Sequence, residues 1–525
     1  MDADEQAAER PRASRISAAA LLLATSVLLS RGLGYLREAL LAYRVGAGAT
    51  TDAYYAAFQI PDLLNYLLAG GALSIAFLPL YTRHLAAGDE AGADRMLATV
   101  LGTLTTVAIA ATLGLWWFAE PLIALQFPRF DPATQAATVH LTRIVLPAQV
   151  FFIAGGIINA TLFAHGRFGA AALAPLLYNA GIIAGGLLLA PRLGLEVEGF
   201  AWGALAGAIA GPFLAPLLYA RGRVRIGVRV APFDRAFLAY LAVAAPLMFG
   251  QSLLTVDEWY GRWFGALLGA GSVSYLSYAR RLMQVPVAVV GQAIAVAALP
   301  TLSRLFAEGK RDELNGVVLR TLQASLALAV VAAGGCFALA YPLVQFVYQR
   351  GRFGVADTAA VADILTLLCL AVPGWIAQQI IVRAFYARAD TWRPMLLGTT
   401  VALAAIPLYL ALGRAYGVRG LALAPAIGMS VNALVMILWA RRLHGAPALG
   451  ALCTTAWRAT LIAVPAAALV RWAQPAALAS TASALAALVG GGAGYTLLTA
   501  VGAWLAGDEA LRSVLLRLAR RMRTR

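Results

Sequence analysis

The chain has 525 residues, of which 61% are hydrophobic and only 13% charged; a soluble domain carries about 25% charged residues, so a water-soluble globular protein is excluded. The net charge is +16, and most of the cations are arginine. On so apolar a chain this is the signature of basic loops obeying the positive-inside rule, not of nucleic-acid binding.

Apolar runs repeat from Ile16 almost to the C-terminus. They are far longer than the roughly 10-residue alternating segments of barrel strands, and each is long enough to cross a bilayer as a helix. In chain order, a basic tail 1–15 (Arg10, Arg12, Arg15) precedes spans over 16–43, 53–83, 96–119, 139–165, 170–191 and 197–220. A basic loop 221–235 carries Arg221, Arg223, Arg225, Arg229 and Arg235. Spans then follow over 236–267, 273–303, 315–347, 358–386, 394–413 and 418–440. A final pair covers 452–473 and 480–506 within the segment 441–506, and 507–525 is a second basic tail. The fold expected is an all-α integral membrane protein of about fourteen transmembrane helices. Residues 18–29 read as part of the first span, not as a signal peptide, because the preceding stretch mixes Asp2, Asp4, Glu5 and Glu9 with its arginines and no cleavage site follows. An even number of spans with arginine at both ends places both termini in the cytoplasm; Arg350, Arg352, Arg414 and Arg419, in outward loops, run against that bias.

The chain repeats itself at an offset of about 220 residues. Gly46-Ala47-Gly48 matches Gly269-Ala270-Gly271, Leu78-Pro79 matches Leu299-Pro300, and Pro121-Leu122 with Arg129-Phe130 matches Pro342-Leu343 with Arg352-Phe353. Six spans per unit make the repeat parallel, 16–220 against 236–440, as in transporters built around a central cavity. The last two spans lie outside it.

The charges inside the spans carry the functional reading. An arginine at the centre of a membrane helix costs about 2.5–3.5 kcal/mol on insertion scales, so Arg31 and Arg37 imply a watery cavity or an anionic guest, for which the guanidinium fork suits phosphate. The alternative is snorkelling to the interface. Gly32 and Gly34 between them weaken the helix and invite a bend. Asp52 reads as either a helix N-cap or a cavity residue. Asp257 is a candidate for a sodium or proton site, with Asp390 as its partner, whereas Glu258 has Arg262 four residues on for a salt bridge. Arg280 and Arg281 are adjacent, about 100° apart on a helix, so both cannot face one cavity. Cys336, Cys369 and Cys453 are odd in number and fit neither a disulfide framework nor a metal site. No nucleotide-binding loop or zinc motif is present, so the reading is a transporter and not an enzyme, with no cofactor beyond a coupling ion.

An ordered set of motifs resembles the MurJ/MviN family: Ser30-Arg31 to Arg37-Glu38; Thr51-Asp52-Ala53-Tyr54-Tyr55; Ile60-Pro61-Asp62-Leu63-Leu64; Gly71-Ala72-Leu73-Ser74; Tyr278-Ala279-Arg280-Arg281-Leu282; and Gly166-Arg167-Phe168 with Pro175 and Asn179. The resemblance covers most of the chain. It implies a flippase of the MOP exporter superfamily moving lipid II, the undecaprenyl-pyrophosphate-linked peptidoglycan precursor, across the bacterial plasma membrane by alternating access. It also maps the family's substrate-binding arginines onto Arg31, Arg37 and Arg281, its aspartate onto Asp52, and a sodium-linked aspartate onto Asp257. The final helix pair would border a groove for the lipid tail. Implied partners are the lipid-linked anionic substrate and membrane lipids, with the cell-wall synthesis machinery a candidate. The chain departs from the family at Asn65 and Tyr66, at Gly70 and at Arg280, so Asn65 and Arg280 join the candidate cavity residues. Rival readings are a flippase for another polyprenyl-linked saccharide and a MATE-like antiporter of small molecules, which would call for an acidic cavity. A membrane transferase would need catalytic carboxylates or histidines at an aqueous face. A non-transporting scaffold is opposed only by the charges in the spans.

Overall fold

The computed structural model describes residues 3–69, 76–190, 196–249, 253–388, 390–475 and 480–506. Gly70, Gly71 and the basic tail 507–525 lie outside them, as do the side chains of Arg10, Arg12 and Arg15. Among the described residues every element is a helix. The chain divides into two compact units, Met1–Gly250 and Gln251–Arg525.

The first unit holds α1 (Ala3–Val45), α2 (Ala49–Ala57), α3 (Gln59–Ala69), α4 (Leu78–Ala86), α5 (Glu90–Trp117), α6 (Ala119–Gln126), α7 (Pro132–Val145), α8 (Ala148–Ala164), α9 (Gly169–Ala184), α10 (Glu196–Ala208), α11 (Ala215–Ala220) and α12 (Arg235–Phe249). α9 continues into a π-helical turn over Gly185–Leu189, and a second such turn, Ile209–Leu214, joins α10 to α11 and contains Pro212. α9 and α10 approach closely because both present glycines four residues apart. A Cβ on Gly185 would sit 2.1 Å from the Gly199 carbonyl oxygen, and one on Gly181 would sit 2.5 Å from the Gly207 Cα. Small residues at this spacing let membrane helices pack backbone to backbone. The basic segment 221–235 is not a free loop. The Arg229 amide donates to the Ala98 carbonyl (2.9 Å) and the Ala231 amide to Thr103 Oγ1 (3.1 Å), so the segment straps along α5. α12, expected as the first half of a seventh span, packs on α3 and α5, and its Phe237 and Tyr240 join the core around Phe77, Leu97 and Ile157.

The second unit holds α13 (Leu253–Gly265), α14 (Ser272–Pro286), α15 (Ala293–Ala307), α16 (Arg311–Ala338), α17 (Ala340–Tyr348), α18 (Val355–Cys369), α19 (Val372–Tyr386), α20 (Trp392–His444), α21 (Leu449–Ala473) and α22 (Thr481–Ala506). α20 is two helices joined at Gly417, whose φ of 58° and ψ of −137° are non-helical. It therefore covers both expected spans 394–413 and 418–440. The unrepeated pair α21–α22 docks on α16, where Tyr495 donates to the Val331 carbonyl at 2.7 Å.

The repeat is visible element by element. α5 and α16 are each 28 residues long, followed by the short helices α6 and α17 and by the broken pairs α7–α8 and α18–α19. The shared glycines have a backbone reason: Gly46 and Gly48 (φ 83° and 151°) and Gly269 and Gly271 (φ 146° and 90°) all lie where side chains are disfavoured. The shared Arg-Phe pair places a ring clamp. Phe130 stacks on Phe127, and Phe353 packs on Tyr278 and Tyr348.

Eight helices among the described residues are long and apolar enough to cross a membrane, or nine if α18 and α19, bent by 44°, form one span. The expected spans that do not meet this test are 16–43, 53–83, 236–267 and 273–303. Those four carry Arg31, Arg37, Asn65, Asp257, Arg280 and Arg281, and Asp52 immediately precedes the second of them.

Candidate functional site

In the first unit, α1 runs unbroken through Gly32 and Gly34, so the bend expected there does not interrupt the helix. Arg31 and Arg37, six positions apart, therefore point about 120° apart around the axis. Arg37 is held from two sides. Its Nη2 donates to Glu38 Oε1 at 2.5 Å and its Nη1 to Asn179 Oδ1 on α9 at 3.3 Å. Glu38, 2% exposed, also accepts from Tyr55 Oη on α2 at 2.5 Å. Asn179 is fixed in turn, donating to the Pro175 carbonyl and to Ser30 Oγ. The result is a buried network on three helices in which the carboxylate offsets the arginine. Arg31 is partly exposed, as is Asn65 on α3.

Asp52 is fully buried, one turn inside α2, and the N-cap position belongs to Gly48. The capping reading of Asp52 is therefore incorrect: the positive-φ glycine turn starts this helix, and Asp52 faces the interior of the unit.

In the second unit, Asp257 on α13 is fully buried, accepts from Arg280 Nη1 of α14 and accepts from Tyr409 Oη of α20. Tyr409 is fixed edge-on by Tyr260 at 5.1 Å, whose own hydroxyl donates to the Ala402 carbonyl. Arg280 is 5% exposed, whereas its neighbour Arg281 is partly exposed. Adjacent arginines thus part company: Arg280 turns inward to a carboxylate and is not a freely presented cavity residue. Glu258 pairs with Arg262 at 2.5 Å, as the four-residue spacing suggests.

Asp390 is not beside Asp257. Its carboxylate accepts from the Arg393 amide and guanidinium at the start of α20. Tyr409, which touches Asp257, lies roughly 25 Å further along that helix at 1.5 Å per residue. A shared coupling-ion site for these two aspartates is ruled out by helix length. Among the described residues no cluster of three His, Cys, Asp or Glu is placed to hold a metal.

At one end of the helices of the second unit, Arg388 Nη2 donates to Asn315 Oδ1 (2.7 Å), and Asn315 donates to the His444 carbonyl (3.0 Å). Burial lowers Arg388 to about 10, and burial with the Arg388 charge lowers His444. Between α21 and α22 lies a cavity of about 480 Å³ lined by Leu469, Val470, Trp472, Ala486, Gly490 and Gly494.

Sequence reasoning missed Asn179, Tyr55 and Tyr409 as parts of these networks and treated Glu38 only as a costly charge. The signal for Glu38 was present, since a carboxylate next to a membrane arginine is its nearest counter-charge. Tyr409 is a single tyrosine in an apolar run and gives no such signal.

An all-helical, multi-span architecture with ionic networks buried among its helices defines a polytopic membrane transporter. The same fold occurs in an inward-facing multidrug MATE transporter of the MOP superfamily, at TM-score 0.65 and 16% identity over 79% of this chain and 94% of that one. It also occurs in the inward closed conformation of lipid II flippase MurJ, at TM-score 0.77 and 22% identity over 92% of this chain and 99% of that one. By sequence, residues 41–488 match the family described as Lipid II flippase MurJ, and the chain belongs to that family. Relatives include a probable lipid II flippase MurJ of Rhizobium meliloti (strain 1021), 29% identical over 78% of each chain. Another is a lipid II flippase MurJ of Burkholderia cenocepacia, 28% identical over 81% of this chain and 83% of that one.

Proposed function

We propose that this chain carries lipid II from the inner to the outer leaflet of the bacterial plasma membrane by alternating access, with both termini in the cytoplasm. The observation that carries the reading is the family match over residues 41–488, joined to arginines retained within the expected spans. The pyrophosphate of lipid II is the anion these arginines suit, since guanidinium and phosphate oxygens form planar, charge-assisted pairs. Arg31 and Arg37 in the first unit and Arg281 in the second are assigned to the head group during its passage, with Asp52 setting the polarity around the first pair. The apolar cavity between α21 and α22 is of the right chemistry for a polyprenyl tail.

The test is reconstitution of the full chain in proteoliposomes with head-group-labelled lipid II and a membrane-impermeant quencher. Protein-dependent transfer of label between leaflets is the expected result, and transfer no faster than in empty vesicles overturns the reading. Transfer of a lipid-linked saccharide lacking the peptide, at the same rate as lipid II, would favour the broader substrate class.

A further inference from the structure

We propose that Arg280 is a resident counter-cation for Asp257, so that this buried carboxylate takes no ion from solution and the transport cycle of this chain runs without sodium at that position. A carboxylate at membrane depth must be neutralised by a proton, a metal ion or a basic side chain. Here both carboxylate oxygens are engaged by donors: Oδ2 by Arg280 Nη1 and Oδ1 by the hydroxyl of Tyr409. Asp257 is fully buried and Arg280 nearly so.

The pair is built, not incidental. Gly261 lies one turn after Asp257 on the same face of α13, and a Cβ there would come within 3.2 Å of Arg280 Nη2. The absent side chain leaves the guanidinium room beside the helix. Tyr260 and Phe264, on the same helix, pack against the ring of Tyr409 and aim its hydroxyl. α13, α14 and α20 thus each contribute to one unit of a carboxylate, a guanidinium and a phenol.

These residues do not fit a sodium ion. Sodium in such sites is held by several oxygens, carboxylate and carbonyl, whereas Arg280 brings only N–H donors and a positive charge to the place the ion would take. No cluster of three acidic, histidine or cysteine side chains surrounds the position among the described residues. Removing the guanidinium should reverse the situation: it would leave a buried carboxylate, a phenol oxygen and an emptied seat over Gly261, which is the start of a monovalent-cation site.

The inference rests on the transport reading only for its bearing on the cycle, and its test does not involve the lipid. The purified full chain is unfolded by heat in sodium chloride and in choline chloride at equal ionic strength, for wild type, Asp257→Asn and Arg280→Ala. The expected result is that any sodium response of the wild type is the same in Asp257→Asn, while Arg280→Ala has a lower midpoint in choline that rises saturably with sodium. A saturable sodium stabilisation of the wild type that Asp257→Asn abolishes overturns the proposal, as does a folded Arg280→Ala that ignores sodium. If Arg280→Ala does not fold, the comparison of wild type with Asp257→Asn decides alone. A chain that failed to flip lipid II would still give these results, so the two readings fail separately.

Discussion

Truncating Glu38 probes the first unit where charge and packing meet. Glu38→Ala removes the partner of Arg37 and the acceptor of Tyr55 in one step. Breaking a buried ion pair costs about 3–5 kcal/mol, because the surviving charge is left uncompensated. Two features reduce that figure. The Arg37 side chain keeps 17% of its exposure, and Asn179 still accepts from Nη1. A loss of about 2–3 kcal/mol follows, within the range for a charged hydrogen bond together with part of an ion pair. Arg37→Ala should cost a similar amount by stranding Glu38, and the double variant should cost less than the sum, with a coupling of about 1–2 kcal/mol. The assay is thermal or denaturant unfolding of purified protein for the two single variants and the double. Additivity within about 0.5 kcal/mol would refute the reasoning, since it would mean the two side chains do not depend on each other.

Gly185→Ala should cost about 1–3 kcal/mol by forcing α9 away from α10, while Gly114→Ala, with nothing within 4 Å of the added methyl, should be neutral or mildly stabilising; unfolding midpoints of the two variants compare them directly. His444 is held below its ordinary pKa by burial and by Arg388, so the folded chain binds that proton less readily than the unfolded chain does. Its contribution to stability is then complete above the ordinary imidazole pKa of about 6.5 and declines as pH falls through it. His444→Gln should flatten that decline, which a pH series of unfolding midpoints would detect. For topology, cysteine introduced at 225 should resist impermeant labelling from outside the cell and cysteine at 270 should react; the opposite pattern would invert the orientation.

Much of this architecture is legible in the sequence because bilayer crossing leaves a coarse record. Twenty-residue apolar runs, arginine-rich ends and glycine pairs at a constant offset survive without any knowledge of contacts. What is hidden depends on which way a side chain turns. Arg280 and Arg281 differ by one position, and nothing in their spacing says which one meets Asp257; α13 and α20 decide it by placing a carboxylate and a phenol on one side. Asp52 stays open between cap and cavity in the sequence because Asp is a common N-cap, while in the structure a positive-φ glycine starts the helix. Asp257 and Asp390 were paired because both are acidic residues in the second repeat, and only the length of α20 separates them. The strap over α5 is hidden because it is anchored through its own backbone amides, at Arg229 and Ala231.

The most direct test of the central claim is growth of a host depleted of its own lipid II flippase while expressing this chain or its arginine variants. Each arginine–phosphate contact is worth about 1.5–3 kcal/mol, which is ten- to a hundredfold in capture at about 1.4 kcal/mol per decade. Wild type should sustain growth. Arg31→Ala and Arg281→Ala should reach the membrane at wild-type levels and fail to sustain it, and their lysine counterparts should rescue only in part because an ammonium lacks the planar fork. Well-expressed alanine variants that support full growth would contradict the assignment of these arginines to the lipid pyrophosphate.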